Sequence, residues 1–111
     1  MWLMTKHGFY SVVRHGDVYS VRARWRQDLE NLKARVGAAA ERWQILTTRK
    51  SDYTYRVYID GADLMLVMAQ LSQDVDYPNF KNEVAQHRDQ DSKPYHEVWD
   101  VMRKAAERSH R

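Results

Sequence analysis

The chain has 111 residues, 43% of them hydrophobic and 30% charged, with a formal net charge of +3 and no cysteine. That balance excludes a disordered chain, and the length predicts a single domain over residues 1–111 built on one core. The missing cysteine excludes disulfides, thiolate metal sites and a cysteine nucleophile.

No apolar run approaches the ~18 residues of a membrane span. The opening MWLMTKHGFYSVV has neither the long apolar core nor the small-residue cleavage site of a signal peptide. A soluble, cytoplasmic protein with no membrane partner is expected. Charge is uneven: residues 1–60 hold eleven Lys/Arg against six Asp/Glu, and residues 61–111 hold seven against nine. The basic half comes first.

FYSVVRH (9–15) and VYSVRAR (18–24) flank Gly16-Asp17, a two-residue turn with glycine first, suited to a type II′ hairpin. Pairing across that turn puts Tyr10, Val12, Tyr19, Val21 and Ala23 on a core face. Phe9, Ser11, Val13, His15, Ser20, Arg22 and Arg24 fall on the other, half-polar face. From Trp25 the period changes to helical: Trp25, Leu29, Leu32 and Val36 form a stripe that Gly37 ends. Arg26 falls in the first helical turn. WQILTT (43–48) reads as a strand, RKSD as a turn, and YTYRVYI (53–59) as the next strand. There Tyr53, Tyr55, Val57 and Ile59 alternate with Thr54, Arg56 and Tyr58.

Asp60 suits the N-cap of a helix whose buried stripe is Leu64, Val67, Met68, Leu71 and Val75. Met65 and Leu66 make that helix apolar almost all round, so its own sheet and a second element or partner must cover it. DYPNFK (76–81) breaks the helix at Pro78 and starts another, with Phe80 and Val84 inward. Pro94 opens a last helix carrying Tyr95, Val98, Trp99 and Met102, and residues 103–111 read as a charged tail that frays. The expected fold is α+β, a four-stranded antiparallel sheet with helices on one face in the order β-β-α-β-β-α-α-α, a two-layer sandwich.

Several blocks carry a resemblance: MWLMTKHGFYSVV, VRARWRQDL, DYTYRVYI, DVDYPNFK and YHEVW. Together they resemble a group of short uncharacterised bacterial proteins that share an MW-x-x-T-x-x-GF-x-S start and a D-Y-x-N-F-K block. The resemblance runs from Met1 to about Met102 and implies a bacterial or phage source. It brings no role for any residue.

The half-polar face holds the candidate binding residues: Phe9, Ser11, Arg22, Arg24, Arg56 and Tyr58. Arginine forks bind phosphates bidentately, and exposed rings stack on bases. The same arginines also serve as the solvated side of an ordinary sheet, and no RNP1-like pattern is present. The five histidines lack the i, i+4 spacing of a helical metal pair, although His87 and His96 bracket Asp89 and Asp91. Ser11, Ser20 and Ser51 lack a G-x-S-x-G context. The acidic pairs Asp74/Asp76 and Asp89/Asp91 flank helix ends, where carboxylates serve as caps. No catalytic residue, metal or cofactor is assigned. The expected function is that of a small non-enzymatic binding or accessory protein, of regulatory or inhibitor type, meeting a macromolecule through the basic sheet face. The partner is a protein or a nucleic acid, with a homodimer also open. Direct single-stranded nucleic-acid binding, or a small hydrolase or nuclease, stand as alternatives.

Overall fold

The computed structural model describes residues 1–87 and 92–109. In chain order it contains β1 (Trp2–Thr5), β2 (Gly8–His15), β3 (Val18–Ala23), α1 (Arg26–Val36), a 3₁₀ turn (Gly37–Ala40), β4 (Leu46–Thr47), β5 (Tyr55–Ile59), α2 (Gly61–Gln73), α3 (Phe80–His87) and α4 (Lys93–Ser109). The chain divides into two compact units, Met1–Asp76 and Tyr77–Arg111. No helix among the described residues is long and apolar enough to cross a membrane.

The first unit is α+β, with an antiparallel sheet ordered β1-β2-β3-β5-β4. The sheet has five strands, not the four expected. The extra strand is β1, four residues without apolar/polar alternation and therefore without a period-two signal. Its turn is closed by Thr5, whose Oγ accepts the N–H groups of His7 and Gly8 at 3.1 Å and donates to the Gly8 carbonyl at 2.9 Å. At its start the Met1 amino group donates to the Val12 carbonyl at 2.9 Å, and Leu3 joins the core.

The β2–β3 hairpin has the expected register, His15 opposite Val18 and Val12 opposite Val21. Gly16 has φ 62° while Asp17 stays at negative φ, the pattern of a type II′ turn that glycine adopts without a Cβ clash. Tyr10, Val12, Val21 and Ala23 are buried together with Val57 and Ile59. Leu29 and Leu32 of α1 and Val67 and Leu71 of α2 belong to the same cluster, so both helices cover this one face of the sheet. Burying each such aliphatic side chain contributes roughly 1.5–3 kcal/mol.

Several boundaries differ from the sequence expectation, each for a local reason. Trp25 is the extended N-cap of α1 and half-exposed, not part of its stripe, because the helix starts one residue later. The 43–48 strand shrinks to Leu46–Thr47. Trp43 is instead buried in the preceding loop, where its indole N–H donates to Asp63 Oδ2 at 3.1 Å. In α2 the buried stripe is Val67 and Leu71 with Leu64 partly covered, whereas Met65, Leu66 and Met68 are exposed. Val75 lies past the end of that helix and is exposed. Asp60 is the N-cap as expected, its Oδ1 accepting the Asp63 N–H at 2.8 Å.

In the second unit Asn79 caps α3 by accepting the Asn82 N–H at 3.1 Å. The Phe80 ring meets Tyr77 at 5.9 Å and Tyr95 at 6.0 Å. In α4, Tyr95 is buried, but Val98, Trp99 and Met102 of the expected stripe are exposed. Residues 103–109, read as a fraying tail, continue α4 as helix. There Arg103 pairs with Asp100 and Glu107, and Lys104 with Asp100, the i, i+3 and i, i+4 spacings that support a helix.

Candidate functional site

Registers across the sheet decide which side chains meet on the face away from α1 and α2. Trp2 is opposite Ser11, Ser11 opposite Arg22, Arg22 opposite Arg56, and Arg56 opposite Leu46. Directly opposed residues of an antiparallel sheet share a face, so these five form one row across all five strands. Strand spacing of about 4.8 Å places Trp2 and Arg56 roughly 14 Å apart along it. The next row holds Val13, Ser20 and Tyr58. Whether Arg56 stands beside Arg22 could not be read from the sequence; on the sheet they are direct neighbours.

Like charges directly opposed on adjacent strands are destabilising. Each guanidinium here is held by neutral groups. Arg22 Nη2 donates to Ser11 Oγ at 2.7 Å, and its guanidinium carbon lies 4.6 Å from the Tyr53 ring centre. Arg56 Nη2 donates to Ser51 Oγ and to the Tyr53 carbonyl, both at 3.0 Å. Arg24, just past the end of β3, lies 4.4 Å from the same Tyr53 ring and 5.7 Å from the Phe9 ring, and it pairs with Asp52 Oδ2 at 3.1 Å. Among the described residues no carboxylate reaches Arg22 or Arg56, so their two charges are unneutralised.

The expected residues thus share a face but differ in what they offer. Arg22 and Arg56 are half-buried at its centre, and Arg24 is exposed but already paired. Ser11 is 1% exposed and accepts from Arg22, so it positions that arginine and cannot itself meet a ligand. Phe9 is partly buried beneath Trp2, with ring centres 6.0 Å apart. Tyr58 is 39% exposed and lies 5.4 Å from the His15 ring. Trp2, 72% exposed, is the most open large ring on the face.

Sequence reasoning missed the segment that organises this face, Ser51-Asp52-Tyr53. Tyr53 shares its parity with Tyr55, Val57 and Ile59 and so reads as part of their face. The strand begins only at Tyr55, however, and Lys50 takes a left-handed backbone with φ 67°. Tyr53 lies ahead of the regular strand, and its buried ring packs under the Arg22 and Arg24 guanidinium groups. The adjacent RKSD turn signal marked the bend but not its direction.

A second polar cluster ties the β1–β2 turn to the end of α2. Asp74, 6% exposed, accepts from Arg35 through Nε (3.1 Å) and Nη2, from Gln70 at 3.0 Å, and meets His7 Nε2 at 2.9 Å. The Arg35 hydrogen bonds, opposed by burial, bring its carboxyl down to about 2. An ionised carboxylate only accepts, so Nε2 of His7 carries the proton. Burial lowers the His7 pKa from its ordinary value and outweighs the opposing pull of Asp74. His7 therefore has an acidic neighbour, as a catalytic reading would require. Both Asp74 oxygens are nevertheless taken up by Arg35, and the arrangement acts as a clasp. Of the remaining histidines, His87 pairs with Glu83 at 2.9 Å and His96 meets the Lys81 carbonyl at 3.3 Å. Asp89, Asp91 and His110 lie outside the described residues.

No protein-family model, curated protein or solved structure matches the chain significantly.

Proposed function

We propose that this chain is a small, non-enzymatic binding protein of regulatory or accessory type whose sheet face engages an anionic macromolecular partner. The observation that carries this reading is the direct opposition of Arg22 and Arg56 with no carboxylate beside them. Placing two guanidinium groups on neighbouring strands costs stability, roughly 0.2–1 kcal/mol for the pair. A bound anion turns that cost into binding energy, because planar guanidinium forks chelate oxyanions bidentately.

The test compares retention on heparin, a generic polyanion, for the wild type, Arg22→Gln/Arg56→Gln and a charge-matched control, Arg26→Gln/Arg108→Gln. Both control arginines are exposed and belong to helices rather than to the sheet. Elution of the face variant at clearly lower salt than the control supports the reading. Equal elution of the two means that net charge alone drives binding, and the proposal fails.

A further inference from the structure

Resting on that reading of the face, we infer that its ligand is single-stranded nucleic acid. A backbone phosphate sits across Arg22 and Arg56, and bases lie on the Trp2 and Tyr58 rings.

Three polar atoms on this one face are buried without a protein hydrogen-bond partner: Ser20 Oγ, Arg22 Nε and Arg56 Nε. Ser20 as a whole is 2% exposed, and it lies on β3 opposite Tyr58, two residues before Arg22. Buried polar groups in folded proteins are almost always hydrogen-bonded, and each exception calls for an explanation. Arg22 and Arg56 spend only Nη2 on protein acceptors, so each keeps Nη1 as well as Nε among its undirected donors. Two forks side by side, each with donors that no protein acceptor takes up, form a donor set for a tetrahedral oxyanion.

The rings flanking this seat speak for a nucleic acid over an acidic protein segment. Carboxylates would use the arginines and leave the rings idle. Trp2 stands two strands from Arg22 in the same row, about 10 Å away, and is kept exposed against Phe9. Tyr58 stands two residues beyond Arg56 on β5, about 7 Å along the strand, and is backed by His15. A seat for phosphate between two supported, exposed rings matches a chain that alternates charge and π-face, since every base stacks on an aromatic ring regardless of sequence. The arginines and both rings lie on the strands of one sheet. Stacking on these rings needs bases whose faces are free, so the strand they take is single and unpaired.

The experiment is fluorescence anisotropy of labelled eight-nucleotide oligo(dT) and oligo(U) at 50 and 200 mM KCl, between which the Debye length halves from about 14 to about 7 Å. Heparin retention runs in parallel. Wild type is expected to bind in a salt-dependent way. Arg22→Gln/Arg56→Gln should lower the slope of log affinity against log salt by about 0.7, the value for the one single-strand phosphate that the two arginines share. Trp2→Ala and Tyr58→Ala should each weaken binding roughly fivefold or more while leaving that slope unchanged. Both rings are exposed, so these two variants keep the test open should the arginine pair prove necessary for folding.

Binding that ignores both ring substitutions overturns the assignment of bases to Trp2 and Tyr58. Absence of oligonucleotide binding at 50 mM KCl, with heparin retention still dependent on Arg22 and Arg56, overturns the nucleic-acid inference alone and leaves an acidic protein as partner. Loss of both overturns the inference and the proposed function together.

Discussion

Replacing Gly8 by alanine should unfold more of this protein than its size suggests. Gly8 opens β2 beneath the N-terminal turn of α1. A Cβ there would stand 2.5 Å from Asp28 Cγ, 2.6 Å from Asp28 Cβ and 2.9 Å from Oδ1. Asp28 is 0% exposed, and it docks α1 onto the sheet. Its Oδ2 accepts the Phe9 N–H at 3.1 Å, and its carbonyl accepts the Tyr10 hydroxyl at 2.7 Å. Because Cβ is one of the clashing atoms, rotation of the side chain cannot relieve the contact and the helix must move. Overpacking of this kind costs about 1–3 kcal/mol, and weakening a buried hydrogen bond to a carboxylate adds about 1.5–3 kcal/mol. A loss of about 3 kcal/mol or more is expected, on the order of 10 °C in Tm. Urea unfolding of Gly8→Ala against wild type measures it. The same substitution in an Asp28→Gly background, where all three nearest atoms are gone, should cost far less. A loss below about 0.5 kcal/mol in the wild-type background, or an equal loss in both backgrounds, would refute the clash.

Acid should weaken the clasp at Asp74. Its folded pKa lies near 2 against an ordinary 3.8, so the ionised form is favoured by folding. The stabilisation is present above about pH 4 and is lost as pH falls toward 2. With Arg35 half-exposed, solvent screening reduces it to on the order of 1 kcal/mol. The stability gap between wild type and Asp74→Asn should therefore close between pH 4 and pH 2; a gap unchanged over that range contradicts the clasp. His7, kept neutral by burial, adds a separate loss that begins as pH drops below its ordinary value of 6.5. Asp60→Ala removes the cap of α2 and should cost about 1 kcal/mol in thermal melts, whereas Asp60→Asn should cost much less.

The core of the first unit was legible because its periods are clean. Alternation in residues 9–24 and 55–59 named the buried face, and the glycine-first turn set the register that puts Ser11 opposite Arg22. Legibility ended where a short element or an irregular backbone broke the period. The WLMT run of β1 has no alternation, and its pairing depends on a threonine-closed turn that no pattern announces. Tyr53 is buried as its parity suggests, but against Arg22 and Arg24 and outside the core cluster, because the regular strand begins only at Tyr55. The candidate site suffered from a different gap. Arg22 and Arg56 are 34 positions apart, and their opposition follows from which hairpins become neighbours, a tertiary outcome absent from either strand's own pattern. The exposed apolar residues of α4 show the same limit, since helical spacing says which residues share a side but not whether that side is covered.

The central claim is that Arg22 and Arg56 together receive an anion. Its most direct test is NMR titration with oligo(dT), following the guanidinium Nε–Hε resonances of every arginine. The account predicts large, saturable shifts of Arg22 and Arg56, with those of Arg26, Arg35 and Arg42 little changed. Shifts spread evenly over all arginines, or confined to those away from the sheet face, would contradict it.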